Sequence, residues 1–186
     1  MISFKIGKLK ISFEFGFFAV VALFCLLDAP ELALSAVCAC IVHECGHILM
    51  SVLCNVKIEK VVFWAGGVRM QTESKMLKLS NDILILLSGP IFNFISAVFY
   101  YLSGCYSPFS VNLILGLFNL LPFTSLDGGA IIKKIFEYYE VPSDIILKII
   151  SLLSAILIIL FFYFTGTGSF TGYLTIIFLA ICELIY

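Results

Sequence analysis

Residues 32–54 read LALSAVCACIVHECGHILMSVLC, an apolar run interrupted only by His43, Glu44 and His47. At 1.5 Å of rise per residue, about 20 such residues cross a bilayer, so the run reads as a transmembrane helix. It contains both histidines of the chain. Four residues apart on a helix, they share a face one turn apart, and two imidazoles so placed can grip one metal ion. Glu44, beside the first of them, falls near the open position of such a metal, where it can take a proton from water. A charged group in mid-span costs on the order of 2.5–3.5 kcal/mol, which makes intramembrane ionisable residues functional by default. The plainer reading, polar groups satisfying one another between helices, accounts for one histidine and poorly for two at this spacing with a glutamate between them.

Outward from that run, the composition agrees. Of 186 residues, 62% are hydrophobic and 12% charged, and the mean hydropathy is +1.15, which leaves too few polar residues to clothe a soluble globule. Intrinsic disorder is excluded on the same count. A net charge of −1 without a long basic run offers no footprint for nucleic acid. The seven cysteines lie mostly within apolar runs and show neither a disulfide framework nor paired zinc-knuckle spacing.

Charge-free runs predict about six transmembrane helices: residues 11–27, 32–54, 83–102, 109–121, 145–164 and 170–186. The stretch from Ile83 to Leu126 carries no charge and is too long for one helix, so it must fold back, best at Ser103-Gly104-Cys105-Tyr106-Ser107-Pro108. With six spans, all eleven lysines and arginines fall on one side of the membrane, and the positive-inside rule puts both termini in the cytoplasm. The last two runs are joined tightly, so five spans is the alternative. No small-residue cleavage site follows the basic N-terminus, which is therefore expected to be retained.

Two charged connections have character of their own. Residues 57–72, KIEKVVFWAGGVRMQT, place β-branched and aromatic residues on either side of Ala65-Gly66-Gly67 and predict a membrane-associated β-hairpin. Residues 130–139, AIIKKIFEYY, have the helical spacing of a short surface helix or a solvated connector.

Catalytic zinc takes three protein ligands and leaves a fourth position open. Candidates for the third are Asp127, Glu14, Asp28, Glu183 and Cys40. Asp127 is favoured by topology. His43 lies about 16 Å into its span, and the span beginning near Phe109 is stopped at Pro122 about 20 Å on, still within the membrane. Non-helical chain at that depth is tolerated only beside protein or a wet cavity. The competing reading of Asp127 is an N-cap for the helix that follows.

These residues together resemble the site-2 protease family of intramembrane zinc metalloproteases. The resemblance is carried by His43-Glu44-Cys45-Gly46-His47, by Gly89-Pro90-Ile91-Phe92-Asn93, and by Asn119-Leu120-Leu121-Pro122 with Leu126-Asp127-Gly128-Gly129, and it covers about Val37 to Gly129. The spacing is similar to the compact branch that includes the sporulation protease processing a membrane-tethered sigma factor. The resemblance implies that His43, His47 and Asp127 hold one Zn²⁺, that Glu44 activates water, and that Asn119 positions substrate or stabilises the oxyanion. It further implies a membrane-anchored protein substrate, such as a sigma-factor precursor or anti-sigma factor, a hairpin that pairs with it as an added strand, a regulatory membrane protein, and residence in a prokaryotic cell membrane. No PDZ insertion or nucleotide-sensing CBS domain is visible, which leaves substrate and regulator open.

The expected fold class is an all-α polytopic membrane protein with a small membrane-associated β-hairpin. The expected organisation is a single intramembrane metalloprotease domain over residues 1–186, with a catalytic core at about 32–129 and accessory transmembrane helices at 11–29 and 145–186. The expected function is hydrolysis of a peptide bond in or near a substrate's transmembrane segment. The alternatives are a divalent-metal transporter or channel using the same histidine, glutamate and aspartate side chains, or an inactive relative serving as a binding partner.

Overall fold

Apolar and polar residues alternate strictly in Ile2-Ser3-Phe4-Lys5-Ile6 and again in Leu9-Lys10-Ile11-Ser12-Phe13. A period of two suits a strand with one face covered. In the computed structural model, which describes residues 2–6, 9–16, 18, 30–64, 67–72, 78–168 and 170–185, both runs are strands: β1 (Ile2–Ile6) and β2 (Leu9–Phe13). They join β3 (Ile58–Trp64) and β4 (Gly67–Thr72) in a four-stranded sheet of order β1-β2-β3-β4. β1 and β2 are antiparallel, β2 and β3 parallel with Ile11 opposite Val61, and β3 and β4 antiparallel.

The sheet corrects two expectations. The predicted hairpin is half of a larger sheet, and the first transmembrane run does not begin at Ile11, because residues up to Phe13 are in β2 and the Glu14 amide donates to the Phe63 carbonyl at 2.8 Å. Apolar content alone did not separate these residues from the run that follows them, whereas their period does. Residues 17 and 19–29 of the expected first helix lie outside the described residues.

The helices are α1 (Pro30–Leu53), α2 (Leu79–Leu102), α3 (Tyr106–Asn119), α4 (Asp127–Tyr138), α5 (Ser143–Thr165) and α6 (Phe170–Ile185). Among the described residues, three segments are long and apolar enough to cross a membrane: Glu31–Leu53, Leu79–Leu102 and Asp144–Thr165. A shorter apolar segment spans Gly172–Leu184. The charge-free stretch folds back where the turn residues predict, between Leu102 and Tyr106, and α3 ends at Asn119, ahead of Pro122. The short helix begins at Asp127, three residues before the expected Ala130. Cys38, Cys40, Cys45, Cys54, Cys105 and Cys182 are all free thiols.

The chain forms two compact units, Met1–Gly116 and Leu117–Tyr186. In the first, α1 packs on α2, and the sheet is stitched by aromatic contacts, with Phe13 and Phe63 stacked at 4.4 Å and 8°. In the second, α4 packs on α5 and α5 on α6. Its core is Phe123, Ala155, Ile176 and Leu179, closed over by Leu121, Leu126, Ile159 and Phe162.

Candidate metal centre

α1 carries His43 and His47 one turn apart, and both side chains are buried. Their rings meet edge to face, with Nε2 atoms 3.0 Å apart. α2 determines which nitrogen of each ring holds a proton. Asn93, with no exposed surface, donates from Nδ2 to the Ala39 carbonyl and to Asn112 Oδ1, both at 3.0 Å. A carbonyl can only accept, so the orientation of the Asn93 amide is settled and its Oδ1 is the atom 2.7 Å from His43 Nδ1. His43 Nδ1 must therefore be the donor. His47 Nδ1 likewise donates to the Ile85 carbonyl at 2.7 Å.

The carbonyl that receives His47 belongs to α2, one position before the Leu86 carbonyl whose helical donor Pro90 removes. The Ile85 carbonyl also accepts from Ser88 Oγ at 2.6 Å. Gly89 makes room for the rings: a Cβ there would lie 2.4 Å from His47 Nε2 and 2.7 Å from His43 Cε1.

With both Nδ1 atoms committed as donors, the Nε2 atoms are left to face each other, and in a neutral ring Nε2 then carries the lone pair. Two lone pairs 3.0 Å apart repel unless a cation lies between them. Two imidazole nitrogens about 2.05 Å from a tetrahedral zinc would stand about 3.3 Å apart, close to what is found. Ligating histidines usually donate their other ring nitrogen to a carbonyl or carboxylate, as both do here. The pair fits Zn²⁺ in separation, tautomer and donor softness.

The other candidates fall as follows. Glu44 is half-buried, about 60° round α1 from His47. Cys40 is exposed on α1, and Glu14 is exposed just past β2. Asp28 lies outside the described residues. In the second unit, Asn119 is the half-buried last residue of α3. Asp127 opens α4 from its first turn, and the N-cap position is taken by Leu126, which sets aside the N-cap reading of Asp127. Glu183, on α6, is engaged with Thr124, to which it offers Oε2 at 2.9 Å from Oγ1 and 3.1 Å from the amide nitrogen.

A histidine pair at this spacing, buried and tethered in a span-length helix, is the signature of a zinc peptidase helix, and residues 32–109 and 105–162 match the family model described as peptidase family M50. The chain belongs to peptidase family M50. Relatives include the zinc metalloprotease MJ0392 of Methanocaldococcus jannaschii, 28% identical over 110 residues that make up 52% of this chain and 32% of that protein. Rip3 of Mycobacterium tuberculosis is 34% identical over 108 residues, 49% of this chain and 27% of its own length. The chain thus spans about a third or less of each of these relatives. The site-2 protease structure from Methanocaldococcus jannaschii matches with a TM-score of 0.71 over 98% of this chain and 93% of that one, at 24% identity, a likeness of fold.

Within this M50 chain, the parts played by Gly89, Asn93, Asn112 and Thr124 emerge only from the structure. A signal was present for the asparagines. Asn93 and Asn112 are amides inside a charge-free stretch, where a polar side chain needs partners, and each has them. For Gly89 no local signal exists, because its role is defined by the approach of another helix.

Proposed function

We propose that this chain is an intramembrane zinc metalloprotease that hydrolyses a peptide bond in or near the transmembrane segment of a membrane-tethered protein. His43, His47 and Asp127 are the residues that would hold one zinc ion. The reading is carried by one observation: the only two histidines of the chain are buried in a span-length helix with both Nδ1 atoms tethered to carbonyl oxygens. Membership of the peptidase family supports it. So does the position of Asp127, a carboxylate directly after non-helical chain in a strongly apolar region.

When bound, zinc supplies Lewis-acid polarisation and makes a water nucleophilic near neutral pH. Glu44 would take one proton from an attacking water as the water oxygen adds to the peptide carbonyl carbon. It then returns the proton to the departing amine nitrogen as the C–N bond breaks. The Asn119 amide donates to the carbonyl oxygen as negative charge gathers there. A substrate segment must leave its helix to expose the bond, and an edge of the sheet, formed by β1 on one side and β4 on the other, offers backbone groups for an added strand.

The chain is proposed to be multi-pass, with six spans and both termini in the cytoplasm of a prokaryotic cell. Its substrate class includes sigma-factor precursors and anti-sigma factors, with a regulatory membrane protein as a further partner. The test is cleavage of a membrane-tethered substrate by purified protein in liposomes. Glu44→Gln should keep zinc at one per chain and lose cleavage by roughly 10²–10⁴-fold, the usual contribution of a general base. Full cleavage by this variant would overturn the role of Glu44, and zinc flux into vesicles that disappears in His43→Ala would point to transport instead.

A further inference from the structure

Glu183 is a buried acidic residue that the reaction does not use. It is 3% exposed, near the end of α6, and both of its hydrogen bonds go to one residue, Thr124, in the non-helical segment between α3 and α4. Two further anchors hold the same segment. Ser151 Oγ on α5 donates to the Pro122 carbonyl, and the Phe123 ring has no exposed surface within the core of this unit. Pro122, Phe123 and Thr124 are thus each tied to α5 or α6. The backbone here is not helical, and its polar groups need partners in an apolar setting: the Phe123 amide donates to the Leu121 carbonyl and the Leu126 amide to the Phe123 carbonyl, both at 2.9 Å, while the Thr124 amide depends on Glu183.

The consequence reaches Asp127 through a single peptide group. The Thr124 nitrogen that donates to Glu183 belongs to the same rigid plane as the Phe123 carbonyl. That carbonyl abuts Gly129: a Cβ on Gly129 would lie 2.1 Å from Phe123 O and 2.7 Å from Thr124 N. One residue earlier, a Cβ on Gly128 would lie 2.2 Å from Leu120 O. The segment is therefore folded flat against the first turn of α4, and its peptide plane cannot rotate without pushing on the turn that begins with Asp127. Glu183 holds that plane from the other side.

We infer that Glu183 is a positioning residue for Asp127: by holding the Phe123–Thr124 peptide plane, it keeps the first turn of α4 in place and with it the carboxylate. This rests on the proposed zinc-ligand role of Asp127. The full-length protein is purified in detergent, and zinc affinity is measured by competition with a chromophoric chelator. Hydrogen exchange of the segment around Thr124 is followed in the metal-free protein.

Glu183→Ala should raise exchange at Thr124 and lower zinc affinity by roughly 10–100-fold, as losses of support behind a ligand do. Glu183→Gln, which keeps an oxygen for Thr124, should retain an affinity close to that of the unsubstituted protein. Thr124→Val, which keeps the amide bond, should fall between the two. In an Asp127→Ala background, Glu183→Ala should lower affinity no further, because a residue acting through Asp127 has nothing left to position.

Unchanged exchange at Thr124 in Glu183→Ala overturns the tether. An equal loss of affinity in the presence and absence of Asp127 overturns the positioning role and leaves Glu183 as general support. If Asp127→Ala alone keeps full affinity, the ligand assignment of Asp127 fails and the inferred role of Glu183 falls with it, while the exchange result still reports whether the tether exists.

Discussion

At the scale of single residues, the centre depends on which nitrogen of each histidine bears hydrogen. Asn93 decides this for His43 because a backbone carbonyl decides the orientation of Asn93. Asn93→Leu removes the acceptor and frees the ring to adopt the other tautomer, and zinc affinity should fall by roughly 10–100-fold. Gly89→Ala acts on the same rings by volume. A methyl group would sit 2.4 Å from His47 Nε2, far inside contact distance, so the ring must turn away and zinc binding should be lost while the rest of α2 stays helical. Chelator competition measures both, and far-UV circular dichroism checks that the helices survive. The histidine pair was legible because its spacing is a local property of one helix, whereas the proposed parts of Glu44 and Asp127 rest on the family resemblance. The work of Gly89, Asn93 and Asn112 was not legible, since it is defined across helices by partners 19 to 54 positions away in the chain.

The elements show the same division. The break after Leu102 and the end of α3 ahead of Pro122 were legible because turn residues and proline act on their own backbone. The sheet was legible only in its second half, the hairpin of β3 and β4; the alternation in residues 2–6 and 9–13 is masked by their apolar content, and no local rule pairs β2 with a strand nearly fifty residues later. That pairing places Lys5, Lys10 and Lys60 directly opposite one another on three neighbouring strands. Like charges so placed repel. Lys10→Glu, by converting two repulsive pairs into attractive ones, should raise stability by roughly 0.2–1 kcal/mol per pair. Thermal unfolding in detergent reads the gain, which should shrink as added salt screens it.

For the whole molecule, metal and fold should be linked. A ligand bound by the folded chain alone stabilises it by about 4 kcal/mol when present at a thousand times its dissociation constant. Removing zinc with a strong chelator should therefore lower the unfolding temperature of the unsubstituted protein and leave that of His43→Ala unchanged, as differential scanning fluorimetry would show. α5 and α6, expected from the sequence to be accessory, carry Ser151 and Glu183, which hydrogen-bond the segment leading into Asp127. By itself the sequence determined the apolar class, the helical character, the interruptions of the helices and the residue types able to bind zinc, because hydropathy, helical period and donor chemistry are properties of neighbouring residues. Only the tertiary structure decided the four-stranded sheet, the tautomers of the two histidines and the anchoring of the chain before Asp127. Each of those is a pairing between groups far apart in the chain, and such pairings exist only once packing has brought the groups within reach of a hydrogen bond.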